Sequence, residues 1–263
     1  MILRFFLILL FLSTNYATLV AQFSETISSD RPGQSNSPNT AGKMVLQFQT
    51  GPQVAGDRKD DFKSNNFSWP AVIRFGIAEK VDLITQWGYQ SGKSKSEILD
   101  WERRANGINV ADFGLRFNIF EEKEKAPALG FEAFYKTELT SSDFKPDYPS
   151  ARLNLMASKS FSELFSITTN LGLDVDGSGG GSNGFYTLNF VFTVSDELSF
   201  FFENYGDFTY EDFNTYFDFG GGYLLNPDLQ LDLYGGFGYN DDTFSFLVSG
   251  GISYRIVKWR KHE

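Results

Sequence analysis

Residues 243–256 set Phe244, Phe246, Val248, Ile252, Tyr254 and Ile256 on one face of an extended chain. Thr243, Ser245, Ser249, Ser253 and Arg255 fall on the other, with Leu247 the exception. The stretch before it repeats the design. Leu229, Leu231, Leu233, Phe237 and Tyr239 stand against Gln230, Asp232, Tyr234 and Asn240. One stretch further back, Phe217, Phe219, Tyr223 and Leu225 stand against Tyr216 and Asp218. Alternation at period two means strands with one apolar and one polar face. A soluble sandwich alternates in the same way, so strand length and turn pattern have to separate the two architectures.

Twelve strands are predicted, at roughly 43–51, 68–77, 81–90, 108–120, 126–137, 150–159, 164–175, 185–194, 197–206, 215–225, 228–240 and 243–256. Most approach the ~9–11 residues that a tilted strand needs to cross an outer membrane. Short turns are expected at 78–80, 121–125, 160–163, 195–196 and 226–227, and longer loops at 54–67, 91–107, 138–149, 176–184 and 207–214. The last connection, 241–242, is again short. Short turns at one end and long loops at the other, with an even strand number, are the signature of a bacterial outer-membrane barrel. In lipid every backbone polar group must be paired, so such a sheet must close. The fold class predicted is therefore all-β: a closed, antiparallel, up-and-down transmembrane β-barrel of twelve strands.

The ends of the chain refine this. A basic start at Arg4, an apolar run too short to span a bilayer, and small residues ending at Ala21 read as a secretory signal peptide over 1–21, with Ala17 an alternative cleavage point. Residues 22–42 are too rich in Ser, Asn and Pro for a helix or a central strand. They are either a flexible lead-in or a segment that tucks into the barrel as a partial plug. The barrel proper is assigned to 43–257 and a charged tail to 258–263.

If the apolar face meets lipid, the other face lines the lumen. Trp69, Trp87, Tyr89, Tyr223, Tyr239 and Tyr254, near strand ends, suit the interfacial girdles. The lumen-facing set offers Arg74, Arg116, Glu132, Arg152, Glu203, Asp218, Asp232 and Arg255 as the candidate solute path. Both signs are present, so the same residues also serve as a mutually satisfied ion network in a narrow barrel. Twelve strands lie between the roughly eight that side chains fill and the sixteen or more that leave a wide channel.

Composition removes other chemistries. Cysteine is absent, which excludes disulfides and thiolate metal sites. The sole histidine, His262, lies in the tail, which argues against a Ser/His catalytic site and against enzymatic function generally. The run from Asp174 to Gly179 lacks the closing Glu of a calcium loop. No metal or cofactor is predicted. The net charge is −10, and loss of Arg4 with the signal peptide takes it to −11, which argues against nucleic acid as a partner.

Three pieces resemble a known family. Asp30, Arg31 and Pro32, with Ser37 and Pro38 following, form its N-terminal opening. The stretch 71–77 leading to Val81, Asp82 and Leu83 looks like its first hairpin, and 203–206, 217–220, 223–232 and 250–255 look like its C-terminal half. This is the bacterial outer-membrane barrel family of the "MetA-pathway of phenol degradation". The resemblance implies an outer-membrane location, no catalytic residues, and diffusion of small, aromatic or hydrophobic solutes. Partners would be membrane lipid, the solute and the barrel-assembly machinery, with the protein a monomer. The alternative is a non-transporting barrel that acts through its external loops.

Overall fold

A computed structural model describes residues 25–257, apart from 97 and 180. The predicted signal peptide and the charged tail with His262 lie outside the described residues. Among the described residues every regular element is a strand. They are β1 (Leu46–Thr50), β2 (Gln53–Lys59), β3 (Phe62–Ala78), β4 (Val81–Ser96), β5 (Trp101–Phe120), β6 (Ala128–Lys136) and β7 (Ser150–Ser162). After them come β8 (Phe165–Val175), β9 (Ser182–Thr193), β10 (Leu198–Phe208), β11 (Phe213–Asn226), β12 (Leu229–Asn240) and β13 (Thr243–Ile256).

From β3 to β13 each strand pairs antiparallel with the next. β1 and β2 are two pieces of one stave, broken at Gly51 and Pro52. Both pieces pair with β3 on one side and with β13 on the other. Thirteen segments thus make a closed barrel of twelve staves, as the alternation predicts. The break has a local cause. Pro52 has no N–H to give to a ladder, and a Cβ at Gly51 would lie 2.0 Å from the Gly250 carbonyl.

The period-two pattern sorts the faces as expected. Phe200, Leu233, Tyr239, Val248 and Tyr254 point outward and are exposed, while Gln49, Arg74, Glu203, Asp218 and Ser253 point inward and are buried. A soluble protein of this size would bury the first set, so the outer surface is built for lipid.

Two predicted loops are strands instead. Residues 54–67 form β2 and the upper part of β3, and 91–107 form the upper parts of β4 and β5. Their sequences, such as Lys63-Ser-Asn-Asn and Ser91-Gly-Lys-Ser, are polar on both faces, so no apolar alternation marks them. The ladder simply continues, because each added residue has a paired neighbour from Phe62↔Ser96 down to Ala78↔Val81. β3, β4 and β5 run 17, 16 and 20 residues against 11 for β8 and β10. Six residues more is about 20 Å of strand, so this side of the barrel carries a sheet-like crown at the long-loop end.

Candidate functional site

The polar segment 25–42 has no ladder of its own, and its backbone groups must find partners elsewhere. They find them on the inner wall. At its start the Ile27 amide donates to the Pro227 carbonyl at 2.8 Å, in the short β11–β12 turn. Arg255 donates to the carbonyls of Glu25 and Thr26 and pairs with Asp228 at 2.5 Å. The segment therefore enters from the short-turn end.

It then crosses the lumen residue by residue. Ser29 bonds Ser253 at 2.7 Å and Gln49 at 3.2 Å. Arg31 grips Asp232 through Nη2 (2.8 Å) and Nε (3.1 Å), with its guanidinium over the Tyr234 ring. The Gln34 amide donates to Glu203 at 2.6 Å, and the Ser35 hydroxyl donates to the same carboxylate. Asn36 reaches Asn170 and Glu132, both at 2.7 Å. Finally the Ala41 amide donates to Asp82 at 2.9 Å, just ahead of β1.

Asp30 is the hub. Its carboxylate takes Arg116 through Nη1 (3.0 Å) and Nη2 (2.9 Å) and Arg74 through Nη1 (3.3 Å). Arg74 in turn holds Asp82 at 2.8 Å, and Arg116 holds Glu132. Both guanidiniums are essentially inaccessible to solvent. A buried charge is tolerable when it is paired and hydrogen-bonded, and here the fifth member of the network comes from outside the barrel wall.

The wall makes room for this segment. A Cβ at Gly130 would sit 2.7 Å from Pro38 Cα, and one at Gly251 would sit 2.4 Å from the Arg31 guanidinium. At the turning point Gly33 has φ +99°, a left-handed conformation that favours glycine. Beside the segment a cavity of about 240 Å³ remains, bordered by Ser35, Asn189, Phe201 and Gln230.

Seven of the eight lumen residues singled out from sequence contact segment 25–42: Arg74, Arg116, Glu132, Glu203, Asp218, Asp232 and Arg255. Arg152 stands apart, nearer the long-loop end. It pairs with Asp174 at 2.6 Å and lies over the Phe185 ring at 4.6 Å, half-exposed. Sequence reasoning missed the amide and hydroxyl partners Gln49, Asn170, Ser253 and Thr187, and the two accommodating glycines. Their common signal is an inward position opposite an apolar one.

The lumen also holds apolar and aromatic side chains, not polar ones alone. Ile84, Phe134, Met156, Phe201 and Tyr234 are buried inside it. One inward step above Glu203 and Asp218, Tyr205 and Tyr216 stack at 5.4 Å. Above the ion network, therefore, the wall presents rings.

The family described as "Putative MetA-pathway of phenol degradation" matches residues 29–256, from the segment to the last strand. No curated protein matches the sequence significantly. Among solved structures, a COG4313 outer-membrane channel from Pseudomonas putida F1 is similar at 10% identity and TM-score 0.66, covering 87% of this chain and 100% of that one. The translocator domain of the autotransporter NalP from Neisseria meningitidis is similar at 11% identity and TM-score 0.56, covering 86% and 90%. The KdgM porin is similar at 10% identity and TM-score 0.50, covering 78% and 98%. At such identities the likeness is one of fold. A closed barrel with an apolar outward belt is a bacterial outer-membrane structure.

Proposed function

The chain belongs to this phenol-degradation barrel family, and from that premise we propose that it is an outer-membrane channel through which small aromatic or hydrophobic solutes diffuse. Segment 25–42 would be its plug. The observation that carries the reading is the cross-lumen hydrogen bonding of that segment, with Asp30 clasped between Arg74 and Arg116. A structural barrel without a path has no evident need for a polar strap bonded across its lumen.

In this reading a solute enters at the long-loop end and meets the rings of Phe185, Tyr205 and Tyr216 in place of a continuous water column. Apolar lining with a few polar groups is what small-ligand sites use. It then passes the level of Glu132, Glu203 and Asp218 once the strap shifts. The gradient drives the flow. The names of related proteins point the same way: the family description mentions phenol, and the COG4313 protein is called an outer-membrane channel. One chain forms one channel, inserted by the barrel-assembly machinery.

The test is planar-bilayer conductance and vesicle permeability of the refolded mature protein, with heat-modifiable gel migration to confirm closure. The wild type should show small or rare openings and pass phenol-sized solutes. Asp30→Ala should open the channel persistently. A folded Asp30→Ala barrel with conductance and permeability identical to wild type would remove the plug assignment. A barrel that passes no solute in either form would remove the channel.

A further inference from the structure

The crown formed by β2–β5 has an ordered outward face. Register aligns Trp69, Tyr89 and Ile108 in one cross-strand row, all exposed and apolar or aromatic. The next outward row toward the long-loop end is Val54, Phe67, Ser91 and Asn106. Above it lie Gly56, Asn65, Lys93 and Arg104, then Arg58, Lys63, Lys95 and Glu102. The face passes from apolar to cationic within two steps, or about 13 Å of strand.

Besides Lys63 and Lys95, which have partners of their own, these two upper rows hold Lys93, Arg104 and Arg58 beside one acid, Glu102. The chain as a whole carries −10. Acids at the long-loop end include Asp176, Glu211 and Asp212 away from the crown, and Asp143 and Asp241 at its borders, where they bond the Asn106 amide and Lys59. The cations are also placed against one another. Lys93 sits directly opposite Arg104, and Arg58 opposite Lys63. Like charges directly opposite on neighbouring strands are destabilising. Glu102 answers part of this, at 2.7 Å from Lys93 and 2.9 Å from Arg104. Arg58 spends its hydrogen bonds on the carbonyls of Asp57 and Ser64 and on Asn65, without an acid. Asp61, in the β2–β3 turn, is engaged by Ser96 and the Ile98 amide, bonds that hold its carboxyl below the usual range.

Between the two levels runs a groove of about 500 Å³. Val54 and Phe67 are among its apolar lining, and Lys93 and Arg104 among its cationic lining. An occupant must have chains that fit the apolar side and anions at the height of the cations. We propose that this outward face of β2–β5 is a docking surface for a phosphorylated lipid of the outer leaflet, whose phosphates are held by Lys93, Arg104 and Arg58. Guanidinium and ammonium groups both bind phosphate, the former bidentately. The membrane boundary set by Trp69 and Tyr89 puts headgroups at the level of these rows. Charge complementarity and the apolar step below the cations select a lipid over free phosphate, which would gain nothing from Val54 and Phe67. The surface is separate from the lumen and does not depend on the channel reading.

The experiment uses the full mature chain in detergent, with closure confirmed by heat-modifiable migration and lipid binding read by native mass spectrometry. The probes are phosphorylated lipid A, dephosphorylated lipid A, phosphatidylglycerol and inorganic phosphate. Each lost cation should weaken phosphorylated lipid A about fivefold, so that Lys93→Gln, Arg104→Gln and Arg58→Gln together weaken it about a hundredfold. Dephosphorylated lipid A should bind the wild type no better than the phosphorylated form binds the triple variant. Lys125→Gln, in the exposed β5–β6 turn at the opposite end of the barrel, should leave binding unchanged. If the triple variant does not fold, Arg104→Gln alone decides, since that side chain is 75% exposed and supports no buried structure. Equal binding by wild type and variant overturns the proposal. So does equal binding of phosphatidylglycerol, which would mark a general anionic surface, or displacement of the lipid by inorganic phosphate at matched concentration.

Discussion

The two ends of the lumen are held together in opposite ways. At the short-turn end, buried charges form a closed set: Asp30, Arg74, Asp82, Arg116 and Glu132 satisfy one another with little exposure. At the long-loop end, Arg152, Asp174 and Lys136 form a looser set that stays partly in water. The same residue types thus do different work. Breaking a buried pair strands a desolvated charge, while breaking a wet pair lets water replace the partner. One end loses heavily when a partner is removed, and the other tolerates the loss.

The largest effect should come from Arg116→Ala, which strands Glu132 in the interior and leaves Asp30 with Arg74 alone. A loss of about 3–5 kcal/mol is expected, read as a lower urea midpoint for unfolding in detergent, with the segment released. If the midpoint does not move, the lower network is not what holds that end. Arg31→Ala should act next. It removes the bidentate grip on Asp232 but leaves the Asp30 clasp, so partial opening is expected: more frequent channel events than wild type, fewer than Asp30→Ala. Reversal of that order in single-channel records would move the hub from Asp30 to Arg31. Gly130→Val should push against Pro38 and raise the open fraction while leaving the β5–β6–β7 ladder intact, as amide exchange would show. The smallest effect should be Arg152→Ala. Its exposed pair is worth under about 1 kcal/mol, so stability should hardly change; a shift as large as that of Arg116→Ala would erase the contrast between the two ends.

Legibility followed the same division. The barrel was readable wherever lipid on one side and lumen on the other impose alternation, as in Leu229 to Tyr239 and Phe244 to Ile256. It was not readable in 54–67 and 91–107, because outward apolar positions such as Val54 and Phe67 are too few there to set a period. The lumen residues were legible by their charge at inward positions. Their partners were not, because pairing between Asp30 and Arg116 joins points 86 residues apart in the chain, and a sequence shows no such distances. Segment 25–42 was legible as polar and irregular, but its route depends on Gly130, Gly251 and Gly33, whose role is to be absent in volume.

The strap's anchor points also bear on how the molecule is put together. They are spread around the circumference, from Asp82 on β4 through Glu132 and Glu203 to Asp232 on β12 and Ser253 on β13. No partial sheet brings all of these within reach of one short peptide. The full set of bonds therefore exists only when β13 has met β1, and the strap, lying immediately ahead of β1 in the chain, straddles the seam where the circle closes. A partial sheet of β3 to β6 can already seat Asp30 between Arg74 and Arg116, but the bonds of Arg31 to Asp232 and of Ser29 to Ser253 wait for β12 and β13. The segment that crosses the lumen is, by the same bonds, a latch on the hoop.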